Sequence, residues 1–427
     1  MKRFIRSVLF IHISLILCLS GCRVTDVASS DQSTSSIYLG TDSIESGLTE
    51  NSHNTSSQAE STSDAATSAF SHSTQTSAIE DTSSDNSQLV SSKTETFIEK
   101  SENNVEFIGR FATVTTGVFQ FEWSGSTVTA GFEGTEISVI LKTVRCGPYG
   151  EVDYFNVTVD NGKPFVLEVK KGIDKYNLAS DLENGYHTVK LTKRTEAQFG
   201  SLIQFEGFDY GSGKAAPAPA RKKRRIEIYG DSISAGYGNE GTEAGFRLNE
   251  ENADLTYCAL AANALDAEYT DIALSGHGCY ISLSSSTTEV TPAYFNRALY
   301  KINTKYRFNQ PDPDVVIINL GTNDYAMNVS EVDFYNAYMD FIANIRKKYP
   351  QSYIVCTTCG GTYKALNILQ TIAERRQNQY NDNKIGVFAA VIEDTNGAYG
   401  SDGHPSAYGH QQLSAQLAEY LRSVMNW

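Results

Sequence analysis

An all-β sandwich followed by an α/β domain with a parallel sheet is the fold the sequence predicts, and three observations lead to it. Between about Val105 and Tyr210, short alternating apolar runs recur between turn signals. From Ile226 onward, strand-like runs alternate with helical patterns, which calls for a parallel sheet covered by helices on both faces. The hinge-like stretch Ala215-Ala-Pro-Ala-Pro-Ala lies between them. The expected divisions are a sandwich over 101–212, a linker over 213–225 and the α/β domain over 226–427.

The N-terminus reads as an address and a tether. Lys2, Arg3 and Arg6 precede an apolar run from Val8 to Leu19, which suits a secretory signal over 1–21 and is too short for a secure membrane span. It ends in Leu19-Ser20-Gly21-Cys22, which resembles the lipobox of bacterial lipoproteins. That resemblance implies cleavage before Cys22, lipidation of this cysteine and a mature protein held on the outer face of the cell membrane. Each buried methylene of the acyl chains would add about 0.8 kcal/mol. An ordinary cleaved signal with a chance cysteine is the alternative. Residues 22–100 are then a flexible tether. Of the 78 residues from Arg23 to Lys100, 33 are Ser or Thr, too few apolar groups to offset the entropy of ordering.

Charge excludes one class of partner. The chain has 35 basic and 50 acidic residues, a net of −15. Twelve acidic and three basic residues in 23–100 account for −9 of it, and no basic face suits nucleic acid. Cys356 and Cys359 form a C-x-x-C pair without the second pair or the spaced histidines that a zinc site needs. They read as structural thiols at a strand end or as a local disulfide.

Within the sandwich, Thr127-Val-Thr-Ala-Gly-Phe, Glu136-Ile-Ser-Val-Ile-Leu and Tyr154-Phe-Asn-Val-Thr-Val read as strands. Asp160-Asn-Gly-Lys marks a hairpin turn before Phe165-Val-Leu-Glu-Val, and Tyr186-His-Thr-Val-Lys-Leu gives a later strand. The region is either a packing partner or a carbohydrate binder. Arg221-Lys-Lys-Arg-Arg reads as a solvated lead-in to the next strand.

In the α/β domain, Ile226–Tyr229 is a strand and Asp254–Leu265 a helix, and Asp314-Val-Val-Ile-Ile-Asn-Leu is a buried strand. Ser330 caps a helix carrying Phe334, Tyr338, Phe341 and Ile345 at helical spacing. A strand at Tyr353–Cys356, a helix near Lys364–Asn378, a strand at Ile385–Val391 and a helix from Ser406 complete the series. Ligands of such a sheet bind beyond the carboxyl ends of its strands.

Four segments fall at those ends: Gly230-Asp-Ser-Ile-Ser, Leu274-Ser-Gly-His-Gly, Gly321-Thr-Asn-Asp and Ser401-Asp-Gly-His-Pro-Ser. Each alone has an ordinary reading as a turn, a cap or a loop. Together they supply a nucleophile, a base and polar donors. Ser232 is inert as a free alcohol and needs a base such as His404. A developing oxyanion needs donors, and the Ser232 and Gly276 amides with the Asn323 side chain suit that role.

This ordered set resembles the SGNH (GDSL-type) hydrolases over about 226–427. The resemblance implies a flavodoxin-like three-layer α/β/α fold with no metal or organic cofactor. It assigns Ser232 as nucleophile, Gly276 and Asn323 as oxyanion donors and His404 as base. The block Gly230-Asp-Ser-Ile-Ser-Ala-Gly-Tyr-Gly-Asn is similar to that of carbohydrate esterase family 2, whose members carry a jelly-roll sandwich before the hydrolase domain. By that resemblance the substrate is an O-acetylated plant polysaccharide such as xylan or glucomannan.

One position departs from the family pattern. Most SGNH hydrolases have Asp three residues before the histidine; this chain has Ser401 there, with Asp402 two residues before. Some family 2 enzymes use a Ser–His dyad oriented by a backbone carbonyl. Asp402 is expected to assist here. Tyr237, His277, Tyr280, Tyr325 and Tyr399 flank the motifs as candidate substrate contacts, with packing as the alternative, and His410 is expected to pack or cap. Two other functions stay open: a lipase or thioesterase on the same scaffold, and a carbohydrate-binding surface protein with a vestigial hydrolase domain.

Overall fold

The computed structural model describes residues 104–427. The signal over 1–21, Cys22 and the tether over 22–100 lie outside the described residues.

Eleven strands form the sandwich: β1 (Val105–Ile108), β2 (Ala112–Thr115), β3 (Val118–Phe121), β4 (Thr127–Gly134), β5 (Ile137–Arg145), β6 (Val152–Val159), β7 (Phe165–Lys170), β8 (Lys175–Ala179), β9 (Gly185–Lys193), β10 (Leu202–Asp209) and β11 (Lys214–Ala216). One sheet runs β1-β4-β9-β6-β7 with β11 also on β4, and the other runs β2-β3-β10-β5-β8. Alternation along the strands sends Phe121, Phe132, Val139, Leu141, Phe155 and Ile203 into one core between them. Asp160 and Asn161 take left-handed φ of 50° and 58°, and Gly162 N donates to the Val159 carbonyl at 2.8 Å, closing the β6–β7 hairpin.

The α/β domain has one parallel sheet, built from β12 (Arg224–Gly230), β13 (Ala267–Ala273), β14 (Val315–Asn319), β15 (Tyr353–Thr357) and β16 (Ile385–Phe388) in the order β13-β12-β14-β15-β16. Its helices are α1 (Ser232–Ala235), α2 (Tyr257–Ala264), α3 (Thr322–Ala326), α4 (Glu331–Lys348), α5 (Leu366–Tyr380) and α6 (Ala407–Met425). Successive residues of β14 face opposite cores. Val316 and Ile318 pack with Phe334, Tyr338 and Phe341 of α4 and with Leu369 and Ile372 of α5. Val315 and Ile317 pack with Tyr257 and Ala261 of α2 and with Leu413, Leu417 and Leu421 of α6. This two-sided burial explains the continuous apolar run. The α2 helix starts three residues later than its pattern suggests, because Thr256 caps it through a bond from the Ala259 amide.

Two expectations at the junction are corrected. The stretch 213–225 is not a free linker, since β11 pairs with β4 and β12 already begins at Arg224. Arg221 is not solvated: its guanidinium grips both oxygens of Glu268 at 2.6 Å and donates to the Phe107 carbonyl at 2.9 Å. Sandwich and hydrolase are also bound by two side chains from the sandwich. Trp123 is buried among the hydrolase residues Tyr229, Ile272 and Tyr294, its indole N–H on the Ala298 carbonyl at 2.9 Å. Arg110, fully buried, reaches the carbonyls of Tyr294, Phe295 and Arg297, the Glu227 carboxylate and the Tyr229 hydroxyl.

Cys356 and Cys359 are free, buried thiols, and burial pushes the Cys356 thiol up to about 12.

Candidate active site

The nucleophile elbow follows from small residues. A side chain at Gly230 would overlap that of Ser234, so only glycine lets β12 turn directly into α1. Asp231 caps the turn by accepting from the Ile233 amide at 3.1 Å, and its burial pushes that carboxyl up to about 7. Ser232 opens α1.

Sheet register brings Gly276 and Asn323 to the same edge. Gly230 is paired with Ala273 on one side and with Asn319 on the other. Ser232, Gly276 and Asn323 therefore leave the carboxyl ends of three adjacent strands. Gly276 has φ of 74°, a conformation natural to glycine. The Asn323 amide group donates to the His277 carbonyl at 2.8 Å, which fixes the side chain against the Gly276 turn.

His404 comes from the loop before α6, and its Nε2 lies 2.8 Å from Ser232 Oγ. The loop is strapped down by Ser401 N on the Gly238 carbonyl at 3.1 Å and by Ala407 N on the Asn239 carbonyl at 2.7 Å. Burial holds the imidazole below its ordinary pKa; the backbone carbonyls of Ser401 and Asp402 and the Asp402 charge oppose this in part. A neutral imidazole in hydrogen-bond contact with a hydroxyl is the state a general base requires.

No carboxylate orients the ring. Asp402 was the expected helper, and its placement corrects that role. It sits in the left-handed region at φ 52°, and its carboxylate accepts from the Tyr237 hydroxyl and the Gly245 amide, both at 2.9 Å. The Ser401 side chain is turned away as well, its hydroxyl on Glu250 at 3.3 Å. His404 Nδ1 is buried without a hydrogen bond of good geometry. The site is thus a Ser–His pair, with backbone carbonyls where other serine hydrolases place an acid.

The candidate substrate contacts divide. Tyr237 lies beside the site, its ring 4.3 Å from the imidazole of His404, centroid to centroid. It opens an aromatic run with Phe246 at 4.4 Å, Phe199 at 5.0 Å from Phe246, and Tyr149 at 4.9 Å from Phe246. Tyr149 and Phe199 belong to the sandwich. Tyr399 is half exposed and bridges to Pro405 next to His404. Tyr280 is partly buried, its amide bound to Asp324 at 2.7 Å. Two candidates are more enclosed. Tyr325 is half-buried and packs edge-on against Phe334 of α4. His277 is buried rather than exposed, its ring between Tyr294 and Tyr300 and its Nδ1 3.1 Å from the Ser275 carbonyl. His410 does cap, accepting the Tyr257 amide at 3.1 Å.

Sequence reasoning missed Asp324 and Glu196. Asp324 accepts the amides of Cys279, Tyr280 and Ile281 at 2.8, 2.7 and 3.0 Å, holding the loop after Gly276. The acid that ends Gly-Thr-Asn-Asp was the available signal. Glu196, in the sandwich, accepts from the Ser275 amide at 2.7 Å and from its hydroxyl. Burial pushes its carboxyl up to about 7, against the pull of those two bonds. The only hint in sequence was Lys193-Arg-Thr-Glu, four polar residues in a row at the end of an alternating strand. Among the described residues no group of three or more His, Cys, Asp and Glu side chains is gathered to hold a metal ion.

Comparison with known proteins agrees with both halves. Residues 107–219 match the family described as Carbohydrate esterase 2 N-terminal, and residues 228–412 match the GDSL-like Lipase/Acylhydrolase family. The chain is 34% identical over 314 residues to the cellulase/esterase CelE of Acetivibrio thermocellus, covering 71% of this chain but only 38% of that larger protein. It is 26% identical to an acetylxylan esterase / glucomannan deacetylase of Cellvibrio japonicus, covering 71% of this chain and 86% of that one. A solved family two carbohydrate esterase from Clostridium thermocellum, in complex with cellohexaose, superposes with a TM-score of 0.70 at 32% identity. That match spans 76% of this chain and 99% of the other. Since a relative of such identity is covered along almost its whole length, and the sandwich precedes the hydrolase in both, this chain belongs to carbohydrate esterase family 2.

Proposed function

We propose that this carbohydrate esterase removes O-acetyl groups from plant-type polysaccharide, xylan or glucomannan, outside the cell while tethered through lipidated Cys22. The observation that carries the chemistry is the 2.8 Å contact of His404 Nε2 with Ser232 Oγ at the strand edge that also bears Gly276 and Asn323. His404 takes the Ser232 proton as Oγ bonds to the acetyl carbon. The oxyanion faces the Ser232 and Gly276 amides and the Asn323 side chain, and donors of this kind are worth about 2.7–4 kcal/mol each. Collapse expels the sugar oxygen, which takes the proton from His404. Water, deprotonated by His404, then attacks the acetyl-serine, and the released Oγ recovers the proton to give acetate and free enzyme.

The sugar preference is supported by the flat aromatic faces of Tyr149, Phe199 and Phe246 beside the site and by the activities named for the Cellvibrio relative. Export and tethering are supported by the basic, apolar and Leu-Ser-Gly-Cys segments of the N-terminus. The test is acetate release from acetylated glucomannan and xylan by the purified chain and its Ser232→Ala variant, with acetyl and octanoyl aryl esters as references. Serine-dependent release with little octanoyl cleavage is expected; preference for octanoyl would move the assignment to lipid esters. Labelling of Cys22 by a radioactive fatty acid, lost in Cys22→Ala, tests the anchor.

A further inference from the structure

The turn that carries Gly276 is clamped from two domains. On the hydrolase side, Asp324 holds the amides of residues 279–281 and Asn323 holds the His277 carbonyl. On the other side, the clamp is a fully buried carboxylate from the segment between β9 and β10 of the sandwich. Glu196 Oε2 accepts the Ser275 amide at 2.7 Å and Oε1 accepts the Ser275 hydroxyl. The Glu196 amide in turn donates at 3.0 Å to Glu251, a second buried carboxyl group.

This is a costly way to join two domains. No ion pair to Glu196 is present among the described residues, and Lys193, whose charge favours its ionised form, is paired with Asp153 at 3.2 Å. A buried acid without a counter-ion is destabilising beside an apolar contact of similar volume. What a carboxylate supplies that an apolar contact lacks is direction: two acceptors fix both donors of Ser275 at once. Ser275 immediately precedes Gly276, and the Gly276 N–H lies in the peptide plane that joins the two, so the direction of that amide follows how Ser275 is held.

We propose that Glu196 is a positioning residue for ester hydrolysis, through which the sandwich domain aims the Gly276 amide at the tetrahedral oxyanion. The inference rests on the reading that Ser232 attacks an ester whose oxyanion faces that amide.

The test compares the full chain with Glu196→Ala, Glu196→Gln and Ser275→Ala on an acetyl aryl ester. Asn156→Ala serves as control; it removes interdomain hydrogen bonds to Asn252 and Asp254 and does not touch the 275–277 turn. Glu196→Ala is expected to lower kcat on the order of 10- to 100-fold with little change in KM, as for a displaced oxyanion donor. Glu196→Gln, which keeps an acceptor for the Ser275 amide, should recover part of the loss. Binding of a boronic acid that mimics the tetrahedral adduct should weaken in proportion to kcat. A Glu196→Ala enzyme that melts earlier yet keeps its kcat per folded molecule overturns the proposal. So does an equal kcat loss in Asn156→Ala at matched melting temperature. If Glu196→Ala does not fold, unchanged kcat in both Glu196→Gln and Ser275→Ala overturns it. Failure of the underlying reading is recognised separately, as absence of any difference between wild type and Ser232→Ala, and would overturn the proposal with it.

Discussion

The ring of Tyr237 lies over the imidazole of His404, with centroids 4.3 Å apart and planes tilted by 32°, while its hydroxyl donates to Asp402 at 2.9 Å. The acid nearest the histidine in sequence therefore acts on the tyrosine that packs against the ring. Asp402→Ala is expected to lower kcat/KM only several-fold, far from the roughly 10⁴-fold loss in kcat that follows replacing the orienting acid of a triad. Tyr237→Ala should cost more than Tyr237→Phe, because the stacking face matters more than the hydroxyl. Steady-state kinetics on an acetyl aryl ester reads all three.

The imidazole of His404 titrates below its usual 6.5, because burial disfavours the cation. The neutral form is the base, so the acid limb of kcat/KM should lie below that value. Since the Asp402 charge raises the same pKa, Asp402→Asn should move the titration further down. Following the His404 ring proton by NMR, assigned with His404→Gln, gives both midpoints directly.

Asn323 is bonded to the backbone beside Gly276, and under the proposed mechanism it also donates to the oxyanion, so its removal should act on kcat rather than on KM. Asn323→Ala is expected to lose about 10²–10³ in kcat. A loss confined to KM would place the residue in ground-state binding instead.

His410 is buried as the neutral acceptor of the Tyr257 amide, with its pKa pushed down to about 3. Between about 3 and 6.5 the unfolded chain binds this proton and the folded one does not, so this group's contribution to stability falls as pH drops through that window. Relative to wild type, His410→Gln should lose less stability between pH 6.5 and pH 5. Urea unfolding of both proteins at the two pH values measures the difference.

Much of this was legible in the sequence where one residue's surroundings are set by its neighbours in the chain. The unbroken apolar run Val315–Ile318 announced a strand buried on both faces, and Ser330 announced a helix start. The places of Ser232, Gly276 and Asn323 were legible because each follows a strand with a glycine or turn nearby, whereas His404 lies in the loop before α6 and meets Ser232 across 172 positions. Glu196, Arg110 and Arg221 were not, because a charged side chain in a sequence reads as solvated until its partner is known. Glu196 meets Ser275 across 79 positions and Arg110 meets Glu227 across 117. The Ala-Pro segment misled for a related reason: its composition is that of a hinge, but edge pairing to β4 fixes Lys214–Ala216.

Trp123 and Arg110 have a consequence for anyone who would cut or graft this protein. The indole fills space inside the hydrolase core, and the guanidinium satisfies three of its backbone carbonyls. Expressing either half alone, divided near residue 220, would therefore leave a hole and orphaned acceptors in the hydrolase, and a cation without its partners in the sandwich. Recombining the sandwich with an unrelated catalytic unit would meet the same mismatch. In this fold the sandwich completes the interior of the hydrolase.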